Sequence, residues 1–168
     1  MLTFLRFVGV TNAAIWLGAL VFFTIGAGPA FFSNDMLHLL GRPHAGAAAQ
    51  IVLERYFDLQ IICSVIALGH AFAERLYTGQ PIGRFSIAML GLLLGISLLG
   101  RFVIEPQMKQ LHLQMYAVQT TPAQKAAAKR TFGTFHGGSQ IVNLLVIAGV
   151  LTHFWQTTGP GVATRRVR

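Results

Sequence analysis

The chain has 168 residues, of which 54% are hydrophobic and only 11% are charged. Soluble domains carry about a quarter charged residues, so this composition excludes a disordered chain and a coiled coil and indicates a single-domain integral membrane protein. The lone cysteine, Cys63, excludes an intrachain disulfide and a cysteine-based zinc site. The net charge of +8 suits anionic lipid headgroups better than nucleic acid, and no nucleic-acid-reading motif is present.

Four apolar segments follow one another along the chain. A helix needs roughly 20 apolar residues to cross the hydrocarbon core of a bilayer. We therefore predict four membrane-spanning helices, over about residues 5–32, 45–77, 84–105 and 122–156. The first segment is too long for a signal peptide, whose apolar core is roughly 7–15 residues. An even number of spans places both termini on one side of the membrane.

The first two predicted helices are separated by residues typical of helix ends. Pro29 is expected to kink or end the first helix. Ser33 is expected to cap a short segment that ends at Gly41. Pro43 suits the first turn of the second helix, because its missing N–H is not needed there.

Proline also shapes the second half of the chain. Pro106 is expected to break or kink the third helix and to leave residues 107–118 as a short amphipathic helix. Thr121 and Gln124 match the capping-box pattern at the start of the fourth helix. The predicted fold is an all-α, integral membrane four-helix bundle with a short amphipathic helix between helices 3 and 4.

Two small-xxx-small motifs, Gly91 to Gly95 and Gly133 to Gly137, allow helices to approach closely. They serve either packing within the bundle or a homodimer.

The positive-inside rule compares the numbers of basic residues on the two sides of the membrane, and here these numbers are nearly equal. Six lie on the side of the termini: Arg6, Arg75, Arg84, Arg165, Arg166 and Arg168. Seven lie on the other side: Arg42, Arg55, Arg101, Lys109, Lys125, Lys129 and Arg130. If Arg55 and Arg101 lie within the membrane, the count favours cytoplasmic termini.

Ionisable residues collect in one half of the predicted bundle. Glu54 and Asp58 are four residues apart on helix 2, and Arg101 and Glu105 have the same spacing on helix 3. Antiparallel connectivity brings both pairs, and the start of helix 4, to one membrane leaflet. Polar groups inside a membrane are costly unless they are paired, so this convergence predicts a site near one mouth of the bundle.

The donor types suit a divalent transition metal such as iron, manganese, zinc or copper, or another small cation. The predicted metal ligands are Glu54, Asp58, Glu105, His112 and His136. The predicted supporting residues are Arg55, Arg101, Ser139, Gln140 and Asn143. Transport, resistance or metal-linked redox chemistry would follow, and the sequence does not decide whether the protein is an enzyme.

Two alternatives stay open at this point. In the first, the acids pair with Arg55 and Arg101 in a salt-bridge network, and the protein is a ligand-free structural or dimerising subunit. In the second, His70 and His153 hold a haem b between the helices in the opposite leaflet, beside the small residues that flank His70.

Several stretches are similar to a known family. The helix 1 sequence Trp16-Leu-Gly-Ala-Leu-Val-Phe-Phe-Thr, the run Arg55-Tyr-Phe, the run Glu105-Pro-Gln-Met and the run Phe135-His-Gly-Gly-Ser resemble the bacterial domain of unknown function 4149. That family is related to the eukaryotic transmembrane-protein-205-like family. The resemblance implies a four-helix protein of the bacterial inner membrane, of undefined biochemistry, whose eukaryotic branch is linked to resistance against platinum drugs.

Overall fold

The computed structural model describes residues 1–159, which are almost entirely helical and contain no strand. Four helical stretches follow one another: α1 (Leu2–Ala30), α2 (Asn34–Thr78), α3 (Arg84–Tyr116) and α4 (Pro122–Thr158). The protein is therefore all-α, as predicted. The basic tail residues counted for the orientation, Arg165, Arg166 and Arg168, lie outside the described residues.

The helix ends follow local sequence signals. The Ser33 side chain accepts a hydrogen bond from the Met36 backbone N–H, which is an N-cap of α2. Thr121 and Gln124 form the predicted capping box at the start of α4. Gly79 ends α2 with φ of 67°, a conformation that costs glycine little. These caps keep the three connections short.

The predicted interruption near the start of α2 is confirmed. Gly41 has φ of 68° and ψ of 159°, so the helical stretch bends there and restarts at Pro43. A side chain at Gly41 would strain this backbone.

The third helix does not separate at Pro106. A π-helical turn over Gly100–Ile104 precedes Glu105, and the helix then continues to Tyr116. Because the wider turn changes the hydrogen-bond register just before the proline, its missing N–H is accommodated without a break. Residues 107–116, predicted to lie in a short amphipathic helix, form the C-terminal part of α3. The predicted separate helix is therefore not matched.

Three helices are long and apolar enough to cross a membrane: α1, α3 and α4. The prediction of four such helices is not matched, because α2, which carries Glu54, Arg55 and Asp58 in its middle, is not among them. Large apolar side chains such as Phe22, Leu92 and Leu145 are exposed on the outside of the protein. An apolar surface of this extent is compatible with a lipid bilayer.

All four helices contribute to one apolar core. Its fully or almost fully buried members are Trp16, Leu20, Tyr56, Cys63, Ala67, Leu90, Leu93, Val146 and Val150. Tyr56 belongs both to this core and to the polar residues described next, so the core holds in place the helices that carry them.

Candidate functional site: an arginine held by three carboxylates

Arg101 on α3 is the centre of an ionic network. Its Nε donates to Asp58 Oδ1 at 2.7 Å, and its Nη2 donates to Glu54 Oε1 at 2.8 Å. Its Nη1 lies 3.6 Å from Glu105 Oε2, one turn further along α3. Three of the five carboxylates in the chain therefore surround one guanidinium. The predicted convergence of these α2 and α3 side chains is confirmed.

A close approach of the two helices positions this network. Gly100, which precedes Arg101, is buried against the ring of Phe57, and a side chain at this glycine would overlap that ring. Glu54 and Asp58, one turn apart, flank this contact on α2 and reach the same guanidinium. The planar fork of arginine suits two carboxylates presented in this way.

Glu105 differs from the other two acids in its surroundings. Its side chain is only 5% exposed, whereas those of Glu54 and Asp58 are 28% and 35% exposed. Its Oε1 is buried and has no hydrogen-bond partner among the described residues. A buried polar atom without a partner costs free energy and calls for an explanation.

The network carries more negative than positive charge. Glu54, Asp58 and Glu105 supply three carboxylates against Arg101 and Arg55. Arg55 contacts only Asp58, at 3.5 Å, and is 77% exposed. Arg55 therefore lies on the exposed side of the network, and the buried Glu105 pairs with Arg101 alone among the described residues.

A second polar chain links three helices beside the network. Tyr56 donates its hydroxyl proton to Asn143 Oδ1, and Asn143 Nδ2 donates to Thr24 Oγ1 at 2.7 Å. Thr24 in turn donates to the Leu20 carbonyl, and the ring of Tyr56 stacks on Phe23 at 4.1 Å between ring centres. The predicted supporting residue Asn143 thus ties α4 to α1 and α2.

The two histidines of the predicted metal set make other contacts. His112 is buried, and its Nε2 donates to the Pro43 carbonyl at 3.0 Å. His136 is exposed, lies 3.2 Å from the Gln140 amide nitrogen, and stacks on Phe132. Within residues 1–159, no three His, Cys, Asp or Glu side chains are grouped so that they could hold a metal ion.

The remaining supporting residue, Ser139, donates its hydroxyl proton to the Phe135 carbonyl of its own helix. The structure thus brings three of the five predicted ligands together around Arg101 and places both histidines elsewhere.

The predicted haem ligands lie in the other half of the bundle. The ring of His70 packs directly on Gly9 of α1, where a side chain would overlap it. His153 is buried with its ring 6.4 Å from that of Trp16, in an edge-on arrangement. Helix α1 therefore contacts both histidines.

Some site residues were missed in the sequence. Gly46 is one: a side chain there would overlap the His112 ring, so this glycine lets α2 and α3 approach. Gln50 is another, since it donates to the Met108 carbonyl across the same contact. The run Ala45-Gly46-Ala47 was the available signal, because small residues mark close helix contacts. Tyr56 is part of the family-like run Arg55-Tyr-Phe, but nothing in the sequence predicts its hydrogen bond to Asn143.

The comparisons with known proteins give one match. The model of a family described as a domain of unknown function, 4149, matches residues 12–117. This covers more than half of the chain. The chain belongs to this family. The matched region of the family-4149 domain contains Glu54, Asp58, Arg101 and Glu105, and it ends before α4. No curated protein and no solved structure matches the chain.

Proposed function

We propose that this protein binds a small cation at the ionic network, with Glu105 as the residue that meets it. The observation that carries the proposal is the buried, partnerless Oε1 of Glu105 beside a network with excess negative charge. A cation at this oxygen would satisfy the atom and neutralise the excess charge. Of the roles predicted from the sequence, cation binding at this site fits transport or resistance, in which a membrane protein takes up or releases an ion.

The donor atoms favour a hard cation. Carboxylate oxygens prefer cations such as Mn²⁺ or Mg²⁺, whereas imidazole and thioether donors suit zinc and copper. His112 is engaged with Pro43, and His136 with Gln140. Manganese or iron(II) is therefore the preferred member of the predicted metals, and a haem is the less favoured cofactor.

We also infer that α2 crosses the bilayer with the other three helices. Its Cys63 and Ala67 belong to the common core, while Ile62 and Val65 on the same segment are each 54% exposed. A helix with one face in the core and an exposed apolar face is typical of a membrane span that packs against its neighbours on one side and lipid on the other. With α2 as a fourth span, the protein would form the predicted four-helix bundle with both termini on one side of the membrane. The location in a bacterial inner membrane and the cytoplasmic termini stay predictions.

The test uses protein purified without chelators. Elemental analysis of the detergent-solubilised chain is followed by thermal unfolding with Na⁺, Mg²⁺, Mn²⁺, Fe²⁺ and Zn²⁺. The proposal expects one of these ions to raise the melting temperature of the wild type and of Asp35→Asn, but not of Glu105→Gln. Asp35 is a matched control because it lies in the first turn of α2, outside the network.

A second candidate is a ligand-free structural or dimerising subunit. Two observations favour it: Arg101 already contacts all three acids, and a side chain added at Gly91, Gly95, Gly133 or Gly137 would meet no described residue within 4 Å. This candidate predicts that replacing the four network residues together by apolar and amide side chains is tolerated. It also predicts a homodimer in detergent and no cation-dependent change in melting temperature.

The relation to the transmembrane-protein-205-like family stays a prediction. If it holds, handling of metal compounds by this chain would agree with the resistance role of that family.

A further inference from the structure

A groove lies between the first turns of α1 and the end of α4, and none of the residues that line it belongs to the ionic network. It has a volume of about 360 Å³ and is lined by Thr3, Arg6, Phe7, Val10 and Thr158. The groove is shallow and open to the outside. Four of the five lining residues share one face of α1, at intervals of three and four residues.

The charge in this groove is unbalanced. Arg6 is exposed and makes no ion pair or hydrogen bond with any residue of the described chain. Three of the five carboxylates are engaged at Arg101 instead. An arginine without a carboxylate partner is well suited to bind a phosphate group.

The hydroxyl groups beside Arg6 add directional contacts. Thr3 is exposed, and no hydrogen bond engages its hydroxyl within residues 1–159, so it can donate to a phosphate oxygen. Thr158 uses its hydroxyl proton on the Phe154 carbonyl, so its oxygen remains free to accept. The groove therefore offers two donors for an anion, Arg6 and Thr3, and one acceptor for a headgroup hydroxyl, Thr158.

The polarity of the groove matches that of a lipid. Thr3 and Arg6 lie at the outer end of α1, and Phe7 and Val10 follow one turn deeper in a helix that can cross a membrane. A bound lipid would place its phosphate at the polar end and its acyl chain along the apolar residues. A soluble phosphate compound would leave the apolar part unused.

We propose that this groove binds the headgroup of an anionic, hydroxyl-bearing glycerophospholipid such as phosphatidylglycerol. Arg6 and Thr3 hold the phosphate, Thr158 accepts from the headgroup hydroxyl, and Phe7 and Val10 contact the first methylenes of an acyl chain. This site is independent of the cation site, because the two share no residue.

The test titrates the detergent-solubilised full chain with short-chain phosphatidylglycerol or phosphatidylcholine and counts bound lipids by native mass spectrometry. We expect one phosphatidylglycerol per chain to bind more tightly than phosphatidylcholine. Arg6→Gln should weaken phosphatidylglycerol binding about fivefold, the effect of about 1 kcal/mol per basic group near a lipid surface. Arg84→Gln is the matched control, since Arg84 begins α3 and does not line the groove.

Thr3→Val is the second variant and should reduce the preference for phosphatidylglycerol without affecting folding, because Thr3 is exposed. Three results would overturn the proposal: equal binding of both lipids, equal effects of Arg6→Gln and Arg84→Gln, or displacement of the lipid by glycerol phosphate at similar concentration. The last would identify a soluble phosphate compound as the ligand.

Discussion

Arg101 and Asp58 form the shortest ion pair between α2 and α3, with 2.7 Å between Nε and Oδ1. The same guanidinium reaches Glu54 and Glu105, so one side chain neutralises acids from two helices. Removing it would leave three carboxylates close together without the cation that they share.

Arg101→Gln is therefore expected to lower the free energy of unfolding, since it leaves Glu54, Asp58 and Glu105 without the cation that all three contact. The measurement is the free energy of unfolding in mixed detergent micelles. Arg84→Gln, at the start of α3 and outside the network, should change it by less than about 0.5 kcal/mol. Similar values for both variants would show that the network contributes little.

The close contact of Gly100 with Phe57 makes a second prediction. Gly100→Ala should lower the unfolding free energy by about 1–3 kcal/mol, because the new methyl group overlaps the Phe57 ring. Gly91→Ala is the control on the same helix: it has open space around it and should be neutral or stabilising by up to about 1 kcal/mol. The prediction fails if both substitutions have the same sign.

The link between Tyr56 and Asn143 is measurable by a double-mutant cycle. Tyr56→Phe and Asn143→Leu each remove the hydrogen bond that joins α2 to α4. We expect a coupling energy of about 0.6 kcal/mol, the average for hydrogen bonds between membrane helices, and no more than about 1.7 kcal/mol. A cycle of Thr152→Val with Tyr56→Phe is the control, since Thr152 bonds only to its own helix. Additive effects in the first cycle would argue against the link.

The fourth span is testable by labelling. In a Cys63→Ala background, Phe32→Cys lies between α1 and α2, and Gln80→Cys lies between α2 and α3. If α2 crosses the bilayer, a membrane-impermeant thiol reagent applied to intact cells should label only one of the two positions. Lysed cells serve as the control and should allow both to react. Labelling of both positions in intact cells would place α2 along the membrane surface.

The all-α class and the meeting of Arg101 with Asp58 could be predicted from the sequence. Apolar length gives the helices, and residues four apart on antiparallel helices fix which side chains share a depth. The caps at Ser33 and Thr121 were also predictable, because they depend on local chemistry.

The continuation of α3 through Pro106 could not be predicted in the same way. Proline was expected to interrupt the helix, but the π-helical turn before Glu105 absorbs it, and such a turn has no clear sequence signal. The placement of His112 against Pro43 depends on the approach allowed by Gly46, which involves residues far apart in the sequence.

The most direct test of cation binding is an equilibrium titration of metal-free protein, with the ion chosen from the thermal screen and binding followed by calorimetry. The account predicts one saturable site per chain in the wild type and in Asp35→Asn, and loss of that site in Glu105→Gln. Saturable binding that survives Glu105→Gln, or no saturable binding by any of the screened ions, would contradict it.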